Sequence, residues 1–109
     1  MRLAADVVKA GARTDLYGHA CEVEASVGLY LAPQSVKAER VAGAVRAYAH
    51  AHTDIKAAAR LDYPFLFEEF TENGALGDAR LASVEFGERI VETTLARAME
   101  FLESFMSDG

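Results

Sequence analysis

Gly18-His19-Ala20-Cys21-Glu22-Val23-Glu24-Ala25-Ser26 places a histidine, a thiol and two carboxylates just ahead of an apolar run. Side chains four apart share a helix face, so His19 can stand over Val23 and Glu22 over Ser26, whereas His19 and Cys21 diverge. The stretch therefore reads as a loop running into a helix over residues 20–31. At such a start, unpaired backbone N–H groups and the helix dipole favour carboxylates and bound anions. Val23, Val27, Tyr30 and Leu31 are expected on one face of this helix. Pro33 ends it, because the residue before a proline is driven out of the helical region. The five residues Ala32-Pro33-Gln34-Ser35-Val36 then read as a turn.

Outward from this stretch, the clearest patterns are again helical. Leu3, Val7, Val8 and Ala10 give a short amphipathic segment that stops at Gly11, a residue suited to a helix C-terminus. The last helix has the strongest signal. Asp78 is expected to cap its N-terminus, and Val84, Gly87, Val91, Leu95, Ala98, Leu102 and Phe105 recur at three and four residues as one buried stripe. Phe86, Ile90 and Phe101 form a second stripe on an adjoining face. Gly87 in mid-helix costs about 1 kcal/mol relative to alanine, which is tolerable where another backbone comes close. Two apolar faces exceed what the rest of a short chain can cover, so a partner chain is expected on this helix.

The middle of the chain is less regular. Residues 41–60 are rich in alanine and carry Val45, Tyr48 and Ile55 without a dominant period, compatible with strand, short helix or loop. Tyr63-Pro64-Phe65-Leu66-Phe67-Glu68-Glu69-Phe70 is the densest aromatic run, and Pro64 confines it to an edge strand or an extended loop. Ordinary core packing is the default reading of that run, with a pocket wall or an interface as the functional one. His50-Ala51-His52-Thr53-Asp54 invites a metal site, but histidines two apart face opposite ways on a strand and diverge on a helix. A zinc site would also need further ligands from elsewhere, so a polar loop is the default there.

With 109 residues, 51% hydrophobic, the chain has the length of a single domain and a globular composition. Its net charge of −6 argues against a nucleic-acid backbone as partner, which requires a concentrated basic surface. Cys21 is the one cysteine, which precludes an internal disulfide and fits a reducing cytoplasm. It reads as a small packing residue, with a nucleophilic role as the less common alternative. Residues 1–11 hold no long apolar run, so neither a secretory signal nor a membrane span is expected.

His-Ala-Cys-Glu-x-Glu-x-Ser, an apolar helix and then Ala-Pro-x-x-Val resembles the C-terminal half of the creatininase family of metal-dependent amidohydrolases. These usually show His-Ala/Gly-Gly/Cys-Glu-x-Glu-Thr-Ser at that place. A second segment agrees: Asn73-Gly74-Ala75-Leu76-Gly77-Asp78, continuing through Ala82, Ser83, Glu85 and Gly87, is similar to the stretch with which the family opens its last helix. The resemblance spans roughly residues 12–105. It implies a three-layer α/β/α fold with a mostly parallel sheet, in which residues 1–109 are one partial domain, the C-terminal half, supplying helices and a few short strands. Residues 40–47 and part of 63–70 are the expected strands.

The resemblance also implies a division of labour. The family's metal ligands come from a Glu-x-His pair, a nearby aspartate and a Gly-His-x-x-Asn segment, none of which has a counterpart here. His19 carries over as the proton-transferring histidine and Glu24 as the acid that orients the site, with Cys21 and Glu22 between them as substrate-binding residues and no metal ligand in this chain. Gly18 stands where some members have a glutamate, and Ala25 replaces the usual threonine. The expectation is a subunit of a split metal-dependent hydrolase acting on an amide or cyclic amide C–N bond. A partner chain would carry the divalent metal (Zn, Mn or Fe), within a larger cytoplasmic oligomer. There the metals would polarise the carbonyl and generate hydroxide, and His19 would protonate the leaving nitrogen. The alternatives are a non-catalytic assembly or regulatory subunit, to which the substitutions at Gly18 and Ala25 lean, and a truncated family member. The substrate is left open.

Overall fold

In a computed structural model of the chain, residues 2–14, 17–41, 71 and 73–108 are described. A 3₁₀ turn at Arg2–Ala4 leads into α1, Ala5–Gly11, followed by β1, Tyr17–His19, and α2, Glu22–Leu31. Short 3₁₀ turns at Pro33–Ser35 and Ala38–Arg40 follow α2. After residue 71 come β2, Leu76–Gly77, a 3₁₀ turn at Ala79–Leu81, and the long α3, Val84–Ser107. β1 and β2 form a two-stranded antiparallel sheet. The expected strands at 40–47 and 63–70 lie outside the described residues, apart from Arg40, which closes a 3₁₀ turn, and Val41 after it. The His50-His52-Asp54 cluster lies outside them too.

The core is built where α2 crosses the first half of α3. A Cβ on Gly87 would overlap the Ser26 carbonyl oxygen and lie 2.5 Å from the carbonyl carbon and 3.0 Å from the Val27 nitrogen. Only a residue without a side chain lets the two helix backbones meet there. The close approach inferred for Gly87 is thus present, and the backbone that makes it is the chain's own α2. Around the crossing, Ala4, Val8, Cys21, Val23, Phe86 and Ile90 form one buried cluster, with Val7, Ala12 and Val27 packed against it. Each large apolar side chain withdrawn from water there contributes about 1.5–3 kcal/mol.

Polar groups at the crossing are satisfied in series. Ser26 is fully buried, and its Oγ accepts the Ser83 N–H at 3.0 Å. The Ser83 Oγ in turn accepts the Phe86 N–H at 3.2 Å and so caps α3. The cap of α3 is Ser83, not Asp78. Asp78 instead caps the 3₁₀ turn at Ala79–Leu81, accepting from the Arg80 N–H at 3.1 Å and from its guanidinium at 2.8 and 2.9 Å. The extended Ala82 and Ser83 between the two helical segments explain the difference, since they end one and start the other. At the far end of α2, the Tyr30 hydroxyl donates to Glu92 at 2.7 Å.

Two expectations about buried faces are corrected. In α3, the buried residues are Phe86, Gly87 and Ile90, whereas Val84, Leu95, Leu102 and Phe105 of the longer stripe are exposed, as is Phe101. The reason is geometric: α2 and the segments around α1 cover α3 on the side that carries Phe86 and Ile90. In α2, Val23 is buried and Val27 packs against the core as expected, but Leu31 is exposed and the helix also buries Glu22 and Ser26. Arg97, half-way along α3, pairs with Asp6 and donates to the Leu3 carbonyl at 2.6 Å, tying α3 to the start of α1. Among the described residues no helix is long and apolar enough to cross a membrane.

Two outcomes follow. Gly87→Ala should lower stability by about 1–3 kcal/mol in urea unfolding, because overpacking against a backbone outweighs alanine's roughly 1 kcal/mol helix advantage. An unchanged or higher midpoint would exclude the close crossing. The Arg97 guanidinium hydrogen-bonded to Asp6 holds that carboxyl far below the usual carboxylate range, and Arg80 lowers Asp78 in the same way. A carboxyl depressed in the folded state stabilises it fully above the unfolded value of about 3.9 and loses that contribution as pH falls through the folded value. Asp6→Asn should therefore make the acid limb below about pH 4 shallower, and added salt should do the same to wild type because the pair is exposed.

Candidate functional site

β1 delivers His19 to the site. In the two-stranded sheet, Tyr17 lies opposite Gly77 and His19 opposite Leu76, with an irregularity between the two pairs at Gly18. A Cβ on Gly18 would come within 3.3 Å of the Leu76 Cβ, so glycine suits the shifted register. Gly77 has φ +129, a conformation that only glycine adopts comfortably. The pairing brings the His19 motif against the Asn73 motif. Before β2, the Asn73 Oδ1 accepts the Ala75 N–H at 3.1 Å, and the buried Thr71 hydroxyl donates to the Ala75 carbonyl at 2.7 Å, closing a tight loop.

Immediately after His19 the backbone turns sharply. Ala20 has φ +46, in the left-handed region that side-chain-bearing residues rarely occupy. Cys21 is extended and precedes the first helical residue, so α2 begins at Glu22 rather than at residue 20. A thiol is a weak acceptor, and Cys21 makes no side-chain cap. Glu24, at the third helical position, reaches back instead and accepts the Ala20 N–H at 2.6 Å. The same Oε2 lies 4.0 Å from His19 Nδ1, an ion-pair distance rather than a hydrogen bond. His19 and Glu24 have side chains 58% and 45% exposed, so the imidazole is open to solvent beside a carboxylate that pins its turn.

The two residues between them go elsewhere. Glu22 is 1% exposed, and both carboxylate oxygens accept the Arg13 N–H, at 2.9 and 3.0 Å. It fastens the segment after α1 to the start of α2. Cys21 is buried in the core cluster, yet it also lines a cleft of about 420 Å³ together with Arg2, Val8, Gly18, Val23 and Glu24. The structure thus joins His19 to Glu24, puts Cys21 on an adjoining wall, and takes Glu22 into the interior.

A second pocket, of about 260 Å³, lies on the Ala20 side of the turn and is lined by Arg40, Val41, Asn73, Gly77 and Ala79 as well as Ala20. Arg40 carried no signal in the sequence, since it arrives there only through the turns after α2. Asn73 was visible as part of a motif but had no role attached. Among the described residues no group of three or more His, Cys, Asp or Glu could hold a metal ion. With Glu22 held by a backbone amide and Cys21 packed in the core, the described donors around His19 do not fit a divalent metal centre.

The profile of the creatininase family, described as creatinine amidohydrolase, matches residues 2–102. The chain belongs to the creatininase family. A crystal structure of a candidate creatinine amidohydrolase from Bacteroides fragilis superposes on it with a TM-score of 0.75 at 23% identity, covering 90% of this chain and 39% of that one. A search of the curated proteins finds no match. The fold is therefore the α/β creatininase fold, and the described residues contribute helices and a short sheet to it. This chain spans about two fifths of the length of its creatininase-fold neighbour. The small residue after the histidine in the family motif makes sense at φ +46.

The strained turn yields a paired prediction. Ala20→Gly should leave urea stability within about 0.5 kcal/mol, relief of left-handed strain offsetting the greater freedom of the unfolded chain. Ala20→Val should cost more than about 1 kcal/mol, because a branched Cβ is poorly tolerated at positive φ. Equal stability of the two variants would contradict the geometry.

Proposed function

We propose that this chain is the histidine-bearing part of a split creatininase-like hydrolase that cleaves an amide or cyclic amide C–N bond. The observation that carries the reading is the exposed His19 on a strained turn locked by Glu24. An imidazole can both accept and return a proton, which suits it to protonate the departing nitrogen. Glu24 keeps the Ala20 turn closed and so sets where the ring stands. Cys21 offers a wall of the adjoining cleft to the substrate, and Glu22 holds that wall from behind.

The divalent metal used by the family is assigned to a companion chain, because the described residues here do not supply its donors. The companion would be the family's N-terminal half, carrying a Glu-x-His pair and a Gly-His segment, and the whole would be a higher oligomer. The cytoplasm is the compartment proposed, where the lone Cys21 stays reduced. A second reading is favoured by one observation. The exposed apolar side chains of α3, among them Leu95, Met99, Leu102 and Phe105, suit a subunit whose task is assembly or regulation.

Co-expression with such a companion separates the two. The complex should contain divalent metal and hydrolyse amides, and His19→Ala should cut turnover by about a hundredfold or more while metal content and assembly persist. Unchanged turnover in His19→Ala would remove the proton-transfer role, and a stable, inactive complex would leave the assembly reading.

A further inference from the structure

We propose that the pocket on the Ala20 side of the His19 turn binds a carboxylate of the substrate through Arg40 and Asn73. This rests on the hydrolase reading and adds to it a substrate class: a small amide that bears a carboxylate close to the bond to be cleaved.

Ala20, Val41, Gly77 and Ala79 supply small or apolar walls, and Arg40 supplies a cation. Among the described lining residues, which also include Asn73 and Ala75, there is no carboxylate. Among the described residues the Arg40 guanidinium has no acid to pair with, unlike Arg80 with Asp78 and Arg97 with Asp6. Asn73 has its amide oriented by the loop: Oδ1 accepts the Ala75 N–H, which leaves its Nδ2 hydrogens as donors. The Ala20 N–H is already taken by Glu24. Among the described lining residues, the Arg40 guanidinium and the Asn73 Nδ2 therefore offer donors, one of them charged.

A guanidinium beside an amide donor suits an anion, and a planar guanidinium matches a carboxylate with two parallel hydrogen bonds. The pocket's volume of about 260 Å³ suits a small group rather than a polymer. Its wall at Ala20 adjoins His19 in the chain, so an anion held by Arg40 places the neighbouring amide at the turn that carries the imidazole. Beyond Val41 and Ala79, which it shares, a second pocket of about 340 Å³ is lined by Leu29, Val36, Ala38 and Ala82, with Arg80, already paired with Asp78, as its charged member, and can take the remainder of the molecule.

The test uses the full chain and N-acetylglycine, with N-acetylglycinamide as the uncharged control, followed by amide chemical shifts in NMR titrations. N-acetylglycine should saturate, with shifts at Ala20, Arg40 and Gly77. Arg40→Gln should weaken it about tenfold or more, as expected for loss of a charge-assisted pair, with Arg40→Lys recovering part of the loss. Equal binding of the uncharged control, or no change in Arg40→Gln, overturns the proposal. So does inorganic phosphate competing as well as the carboxylate, since the site is then a general anion site. If the companion complex proves inactive yet this binding holds, the hydrolase reading fails while the carboxylate site stands; if hydrolysis is found and this binding is absent, the reverse is true.

Discussion

The contact on which the rest depends is the meeting of two helix backbones at Gly87 and Ser26. A single side-chain atom there would collide with a carbonyl that cannot move aside without moving the whole of α2. Because the helices touch at their backbones, Ser26 can reach the Ser83 N–H and Ser83 can cap α3, so the same approach settles where α3 starts. It also brings Phe86 and Ile90 onto Val8 and Cys21 and gives a small chain its core. The start of α2 is held by this crossing, and the start of α2 is where the candidate site lies.

The site is a turn held in a costly conformation by hydrogen bonds from both sides. Glu24 accepts the Ala20 N–H from the helix side, and the β1–β2 pairing holds His19 from the other. Left-handed backbone at a non-glycine residue persists only where the surroundings over-determine it. The consequence is that His19, with its side chain 58% exposed, stands on a support fixed from both sides. Glu22 and Glu24, two residues apart, have opposite fates: one carboxylate is buried on a backbone amide as part of the fold, and the other remains at the surface beside the histidine.

α3 divides at about its middle. Its first half is covered by α2 and the segments around α1, and its second half carries Leu95, Met99, Phe101, Leu102, Phe105 and Met106 at the surface. Phe101 and Phe105 stack on each other with centroids 6.1 Å apart. Arg97, paired with Asp6, marks the boundary between the two regimes.

Helices are local objects, and their positions were legible in residues 3–11, 20–31 and 84–105 because apolar spacing and proline or glycine punctuation act over a few residues. The histidine-carboxylate stretch and the Asn73-Gly74 stretch were legible as motifs for the same reason. Periodicity could not say which of two apolar stripes on α3 faces inward, since that depends on where α2 crosses, a contact between residues about 60 apart in the chain. The capping exchange between Asp78 and Ser83 was hidden because both are good N-cap residues and only the extended Ala82 and Ser83 decide between them. Glu22 and Glu24 look alike in the sequence; Arg13 from one side and the Ala20 turn from the other set them apart. Arg40 and Asn73 meet across one pocket only through tertiary structure. What the chain by itself determined was its helices and its chemistry-bearing motifs, which are matters of short-range spacing. What tertiary structure alone decided was which faces are buried and which polar groups share a pocket, because burial and proximity are properties of segments brought together from far apart.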